Sequence, residues 1–539
     1  MNFTRALPGR YTASAFALVA VLMLALPALF PIFDLAVRPV QAQAADWIVD
    51  KPGQTLNGQI KELSKNLIVE TGGGLTITNC TLLFNLTKDA SAGIMVQPGG
   101  ILQILDSRIY SKNPAFMPTF TSSGELTMIR TTVRYLYGNF QNGGGVLIKG
   151  GVAHISDSDF ESNKRQGVTV FDGTVTIQRN TFTDNMEGVQ CKEVANVNIE
   201  DNQFLRSTDQ GITAVSCIVM VQRNTFTQND IGIGLSGTSG TILGNTISSG
   251  RIGIDVSNSN GVTLSGNKIT SNHDVGLRLT ASQVTVTGNQ ITSNGGAINA
   301  TGGSLSISSN NITNNKQGLR LVDAIGTVSS NTIGGQTGYG IYILGGSFNG
   351  TTTNTFNPNN GEGRVAWAWD LLIKTSMDTS NGLIIAPNAE VQVYDADNNI
   401  VFSGVTNSSG QTKLIEIVQK QIDNTGTEVV LTPHTLKASS NSTSATQKLN
   451  MSQNQTVMLV LGKKPTKGLP IPQLLLAVGV ILICIAVGLA LNWKFKSEEE
   501  GPEPRIKREA SRRRRGRRRA LTSTSTSRSI RARRHKRRD

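Results

Sequence analysis

The chain has 539 residues, of which 38% are hydrophobic and 5% aromatic, with a formal net charge of +14. Residues 494–539 alone hold 19 Lys or Arg against 6 Asp or Glu, so the rest of the chain is close to neutral and offers no basic folded face for nucleic acid. Four His and four Cys, all scattered, exclude a His-rich metal centre, a metal-spaced Cys cluster and a disulfide framework.

The first 44 residues read as an export signal. Arg5 and Arg10 precede the apolar run from Ala15 to Leu26, and Ala42-Gln43-Ala44 is a small-x-small cleavage site, placing the cut after Ala44. An uncleaved anchor is the alternative, because apolar character continues to Phe33.

Loose repeats begin at Asn79-Cys80-Thr81-Leu82, Ser107-Arg108-Ile109 and Thr131-Thr132-Val133 and tighten at Ser158-Asp159-Phe160. From there an Asn recurs every 21 to 23 residues, at 180, 202, 224, 245, 267, 289, 310, 331 and 354. Phe or Ile always stands two places later, and a second Asn often stands five places later, as at Asn185, Asn229 and Asn294. A Gly and a short apolar alternation follow, such as Gly276-Leu277-Arg278-Leu279, and then a second alternation such as Val284-Thr285-Val286. A fixed period of this length marks a solenoid. Three period-2 segments per unit predict three short strands per coil, stacked at about 4.8 Å. Gly is expected to take turn conformations closed to other residues, and Asn to tolerate left-handed geometry. Amides in successive coils can bond along the axis, so the Asn ladder reads first as scaffold and second as a ligand feature. Trp47 to Leu63 is expected to cap the open end.

This pattern over residues 60–360 resembles the right-handed parallel β-helix repeat family, in the NosD-like and pectate-lyase-like version found in cell-surface proteins. The resemblance implies the fold. The same fold carries lyases, glycosidases, adhesins and metal-delivery accessories, so it does not imply one activity.

The period is lost after Phe356. Residues 365–462 hold strands such as Glu390–Tyr394 and Ile400–Ser403, with turns at Asp395–Asn399 and Asn407–Gly410. Their layout resembles a carboxypeptidase-regulatory or transthyretin-like β-sandwich, which implies a stalk. A linker, 463–470, leads to an apolar segment, 471–493, whose part from Leu474 to Leu491 has no charge and suffices for about 27 Å of helix. The basic tail, 494–539, places itself in the cytoplasm by the positive-inside rule, with the solenoid outside a plasma membrane. Anionic lipid is its expected partner; nucleic acid or the ribosome is the alternative. The expected architecture is thus all-β: a signal peptide (1–44), a right-handed parallel β-helix (45–364), a β-sandwich (365–462) and one C-terminal transmembrane helix.

Glu187, Asp209 and Asp230 fall at similar offsets from their ladder Asn, seven, seven and six residues. On successive coils they would suit a calcium ion or a retaining glycosidase pair; otherwise they are polar residues of solvated turns. The outward position two after the Gly carries Asp255, Arg278, Arg320 and Tyr342, which could bind sugar hydroxyls, and Asp255 and Arg278 are expected to pair. No cofactor is indicated, and copper delivery lacks its His, Met or Cys cluster. Three functions stay open: a non-catalytic surface protein binding a glycan, envelope polymer or other surface molecule; an anchored polysaccharide lyase or glycoside hydrolase; and a metal-delivery accessory.

Overall fold

The computed structural model describes residues 45–139, 141–193 and 196–462. The expected signal peptide, linker, transmembrane segment and tail lie outside the described residues; among those described, no helix is long and apolar enough to cross a membrane.

Residues 47–349 form a parallel β-helix. One face is a 13-stranded sheet running from Ile60–Leu63 to Thr332–Gly334. Each coil adds two further strands, as in Ile252–Ser257 and Asn260–Ser265, which pair in parallel with Val275–Thr280 and Gln283–Thr287 of the next coil. Register is kept along the core-facing positions, with local shifts such as that between Asn260 and Val262, because alternate residues enter the core and a one-residue slip would expose an entire apolar column. Phe160, Phe182, Phe204 and Phe226 stack with ring centroids 4.9, 4.9 and 4.7 Å apart and planes within 12°. Ile247, Ile269, Ile291, Ile312 and Ile333 continue that column, fully buried or within 1% of it.

The Asn ladder is part of the scaffold. Asn180, Asn202, Asn224, Asn245, Asn267, Asn289, Asn310 and Asn331 are at most 2% exposed. Each donates its backbone N–H and its Nδ2 to the Oδ1 of the next ladder Asn, as Asn267 does to Asn289 at 2.9 Å for both. Nδ2 also donates to a carbonyl of the coil before, such as Asn267 to Ile242 at 2.9 Å. Buried backbone groups at these corners are thereby paired without water.

Gly and Asn take left-handed turn positions as expected, for example at Gly266, Gly288, Asn258 and Asn314, but the ladder Asn residues themselves do not. Left-handed backbone falls on the residue before the ladder Asn: Arg179, Asp201 and Arg223 at φ 54°, 56° and 55°, then Gly244, Gly266 and Gly288 at 62°, 62° and 65°. The Gly that opens each strand serves close packing instead. A Cβ on Gly211 would stand 2.6 Å from Cδ1 of Phe226, so the ladder aromatic occupies the volume a side chain would need. The left-handed corner also carries charge: Asp106–Arg130, Asp157–Arg179 and Asp201–Arg223 form two-pronged ion pairs between successive coils.

The second module grows directly out of the solenoid. A single strand, Gly363–Thr379, pairs in parallel with Tyr339–Leu344 of the last coil and continues past it. It then pairs with Ile415–Ile422 and Gln455–Leu461. The boundary expected at residue 365 therefore lies inside one continuous strand. A second, antiparallel sheet of four strands faces it, ordered Ile400–Val405, Glu390–Tyr394, His434–Ser440, Thr443–Leu449. Leu371, Ile373, Val391, Val393, Leu436 and Leu459 fill the space between as a core of their own. Cys80, Cys191 and Cys217 are buried and unbridged.

Candidate functional site

Strand register stacks one outward-facing column along the solenoid, from Thr169 through Gln190, Thr213, Asp255, Arg278 and Arg320 to Tyr342. The column lies outside the core because its neighbours on either side, such as Leu277 and Leu279 around Arg278, point in. Asp255 and Arg278 pair as the sequence leads one to expect, through bonds of 2.9 and 2.5 Å. A second column runs beside it, one residue before each Gly: Gln166, Glu187, Gln210, then the apolar Ile231, Ile252 and Val275, and finally Gln317 and Tyr339. Together they make a largely polar track, interrupted at Gly234 and floored in its middle by a small apolar cluster of Ile231, Ile252 and Val275.

The three candidate carboxylates lie at one end of this track, but not in one column. Asp209 and Asp230 occupy the turn, where the N–H of Asp209 donates to Met186 O and that of Ile231 to Asp209 O. Glu187 lies one position further on, within the strand, in register with Gln166. The coil of Asn202 carries an extra residue, Thr208, in its turn, and the coil of Asn267 carries His273; counting from the ladder Asn therefore misaligns these coils by one.

Asp230 is committed to Arg251, which it holds at 2.9 and 2.8 Å, and Asp274 approaches the same guanidinium at 3.5 Å. The hydrogen bond from His273, followed by Arg251, holds the Asp274 carboxyl below its ordinary range. Glu187 is 5% exposed and accepts from Nε2 of Gln190 at 2.9 Å. Burial pushes its carboxyl up, against hydrogen bonds from Gln166 and Thr213. Burial also raises Asp209, and the charge of Asp230 adds to it. Arg165, itself buried, opposes both shifts. Among the described residues no three His, Cys, Asp or Glu side chains are grouped to hold a metal ion.

At the other end the track opens into a cleft of about 420 Å³ where the second module meets the solenoid. Tyr339 and Tyr342 form its aromatic side, with centroids 6.0 Å apart and planes tilted by 36°. The Arg320 guanidinium lies 5.5 Å from the Tyr342 ring and donates to Glu416 of the second module at 2.5 Å. The Tyr339 hydroxyl donates to Gln421 at 2.5 Å. Gln317 and Glu362 complete the rim. Burial, then the neighbouring Glu416, pushes the Tyr342 phenol well up, so it stays a neutral donor. Among the described residues, Nη1 of Arg320 and the Oε1 atoms of Gln190 and Gln210 are buried without hydrogen-bond partners. Such atoms are rare in folded chains.

Sequence reading had Arg320 and Tyr342 but missed Tyr339, Glu362 and Glu416. Tyr339 could have been found, since it precedes Gly340 as Glu187 precedes Gly188. Glu416 arrives from 96 residues away in the other module, and no spacing announces it.

A family model described as "Right handed beta helix region" matches residues 144–283 and 231–378. No curated protein matches the chain. Among solved structures, the periplasmic alginate epimerase AlgG is similar at 14% identity, over 57% of this chain and 78% of that one, with a TM-score of 0.37. A mannuronic acid specific polysaccharide family 6 lyase from human gut microbiota is similar at 11%, over 59% and 82%, with 0.28. PfbA, a surface adhesin of Streptococcus pneumoniae, is similar at 10%, over 66% and 91%, with 0.27. The observed parallel stacking of the coils makes this chain a parallel β-helix protein.

Proposed function

We propose that the chain is a membrane-anchored cell-surface protein whose β-helix binds an extended carbohydrate polymer of the envelope without cleaving it. The observation that carries this is the Tyr339–Tyr342 cleft at the end of an in-register polar track. Aromatic rings stack on the apolar faces of sugar rings, while Gln317, Arg320, Glu362 and Glu416 offer both donors and acceptors to hydroxyls. The track supplies further polar groups at the rung spacing, about 4.8 Å, so a linear polymer can be engaged over many coils. Internal ion pairs tie up Asp230, Asp255 and Arg278, which favours holding over catalysis. In this reading the sequence beyond residue 470 anchors the protein with the solenoid outside the cell, and the basic tail meets anionic lipid.

Affinity electrophoresis of the protein through gels containing individual envelope polysaccharides tests this. One polymer should retard the wild type, and Tyr342→Ala should migrate as if that polymer were absent. Equal retardation of both would overturn the assignment of the cleft.

A second reading has one observation in its favour. Glu187 and Asp209 are neighbouring carboxyls both raised by burial, the environment that suits a general acid. Release of reducing ends or unsaturated products from the retained polymer, abolished by Glu187→Gln and Asp209→Asn, would establish the depolymerase instead.

A further inference from the structure

The second module carries an apolar surface that its own core does not use. In the strand Gly363–Thr379, Leu371, Ile373 and Thr375 face the module core, so Leu372, Lys374 and Ser376 face away from it. The strand Gln455–Leu461 pairs with it in parallel, setting Met458 beside Lys374 and Val460 beside Ser376 on that outer face. On the other edge, Gly382–Ile385 pairs antiparallel and adds Ile385 beside Ser376 and Leu383 beside Asp378. Leu383, Ile385 and Met458 are 58%, 58% and 54% exposed. Ile384 points to the opposite face, beside Met377, and is not part of this surface. On the solenoid the exposed apolar residues are fewer to a face: Ile218 and Met220 share one strand, and Ile325 lies alone between Ser304 and Ser347.

The position of this surface says what covers it. Leu461 is in register with Met377, so the chain leaves the module at the end of the strand that contributes Met458 and Val460. Residues 462–473 separate this exit from the uncharged run 474–491, and they carry Lys463, Lys464 and Lys467. Fully extended, that connection reaches roughly 40 Å at most. This face is mainly apolar, with Lys374 within it and Asp378 at its edge beside Leu383, and three more Lys stand before the apolar run; on such a surface apolar groups enter the acyl boundary and ammonium groups reach headgroup phosphate.

We propose that the face formed by Leu372, Lys374, Leu383, Ile385, Met458 and Val460 lies on the outer surface of the lipid bilayer, fixing how the protein stands on the membrane. This rests on the reading of 474–491 as an anchor. It differs from that reading in requiring a second contact with the membrane.

The test uses the full chain with Cys484→Ala, reconstituted into phosphatidylcholine–phosphatidylglycerol vesicles. An environment-sensitive fluorophore is attached through Ile385→Cys or, as a control high on the solenoid, Thr225→Cys; the remaining native thiols are buried and inert. Lipids carrying a nitroxide near the headgroup are then introduced. The label at 385 should lose emission and the label at 225 should not. Unchanged emission at 385, in protein that resists alkaline extraction from the vesicles, overturns the proposal while leaving the anchor intact. Extraction of the protein refutes the anchor, and the face then stands or falls on whether 385 is quenched before the wash. Quenching at 385 that needs no nitroxide lipid but follows protein density assigns the face to a second copy and also overturns the proposal. Introducing Leu383→Asp with Met458→Asp should abolish the quenching of a label at 385 without releasing the protein.

Discussion

Truncating one rung of the amide ladder should cost far more than a polar-to-Ala change normally does. Asn267 is 1% exposed. Its Oδ1 accepts from the backbone N and the Nδ2 of Asn245 at 2.9 and 3.0 Å. Its Nδ2 donates to Ile242 O and to Oδ1 of Asn289, both at 2.9 Å. Asn267→Ala deletes all four bonds. Two of the orphaned groups retain a partner: Nδ2 of Asn245 keeps Val221 O, and Oδ1 of Asn289 keeps the N–H of residue 267. The backbone N–H of Asn245 loses its acceptor in a place closed to water, which costs about 1–3 kcal/mol, and the lost bond to Ile242 adds roughly 1 kcal/mol. The expected total is roughly 2–4 kcal/mol. Urea denaturation followed by circular dichroism reads it as a lower midpoint at unchanged slope. Asn311→Ala, at an exposed Asn in the same repeats, should stay within about 0.5 kcal/mol of wild type. If the two variants unfold together, the ladder does not hold the coils and the argument fails. Because each coil contacts only its neighbours, hydrogen exchange should also rise first in the coils flanking residue 267.

Gly211→Ala should destabilise by about 1–3 kcal/mol through collision with Phe226, although its backbone angles suit Ala; thermal unfolding at unchanged stability would refute the packing explanation. Phe204→Ala should cost about 3–5 kcal/mol, since it removes an inner ring of the stack and leaves a cavity between Phe182 and Phe226, as a denaturation midpoint will show. The carboxyl of Glu187 is raised in the folded chain above its ordinary 4.5, so the native state binds the proton more tightly than the unfolded chain does. Stability from this group is complete below pH 4.5 and falls as pH rises through the folded value. Glu187→Gln should therefore raise the melting temperature at pH 7–8, and the gain should vanish below pH 4; a gain that persists in acid would contradict it. His434 runs the other way. Burial lowers its imidazole below the ordinary 6.5, so its contribution is present above that value and is lost as pH falls through the folded one. His434→Gln should flatten the acid side of the stability profile.

How much of this was legible in sequence follows from what repeats and what does not. The coil period, the Phe and Ile column and the Asn column were visible because each rung restates them. The Asp255–Arg278 pair was visible because both occupy one position on adjacent coils. Glu187 was misaligned with Asp209 because one inserted residue, Thr208, is enough to shift a count while leaving the period at 22. The opening Gly was read as a turn residue because its true reason, a ring from the neighbouring coil, is a contact and not a local preference. The cleft escaped because Glu416 in its wall, and the Gln421 that holds Tyr339, come from a different module. The module boundary escaped because Gly363–Thr379 belongs to both cores: its alternation of buried and outer residues fits solenoid and sandwich alike.

The most direct test of the track is the dependence of affinity on ligand length. Calorimetric titration with a graded series of oligosaccharides from the retained polymer should show binding that tightens with each added sugar. It should level off once the ligand spans the coils from Gln190 to Tyr342, roughly 34 Å. Removing the Tyr342 ring with Tyr342→Ala should weaken every member by at least about a hundredfold, ~2.7 kcal/mol. If a disaccharide binds as tightly as the longest fragment, or if the variant binds the series unchanged, the polymer does not run along this face.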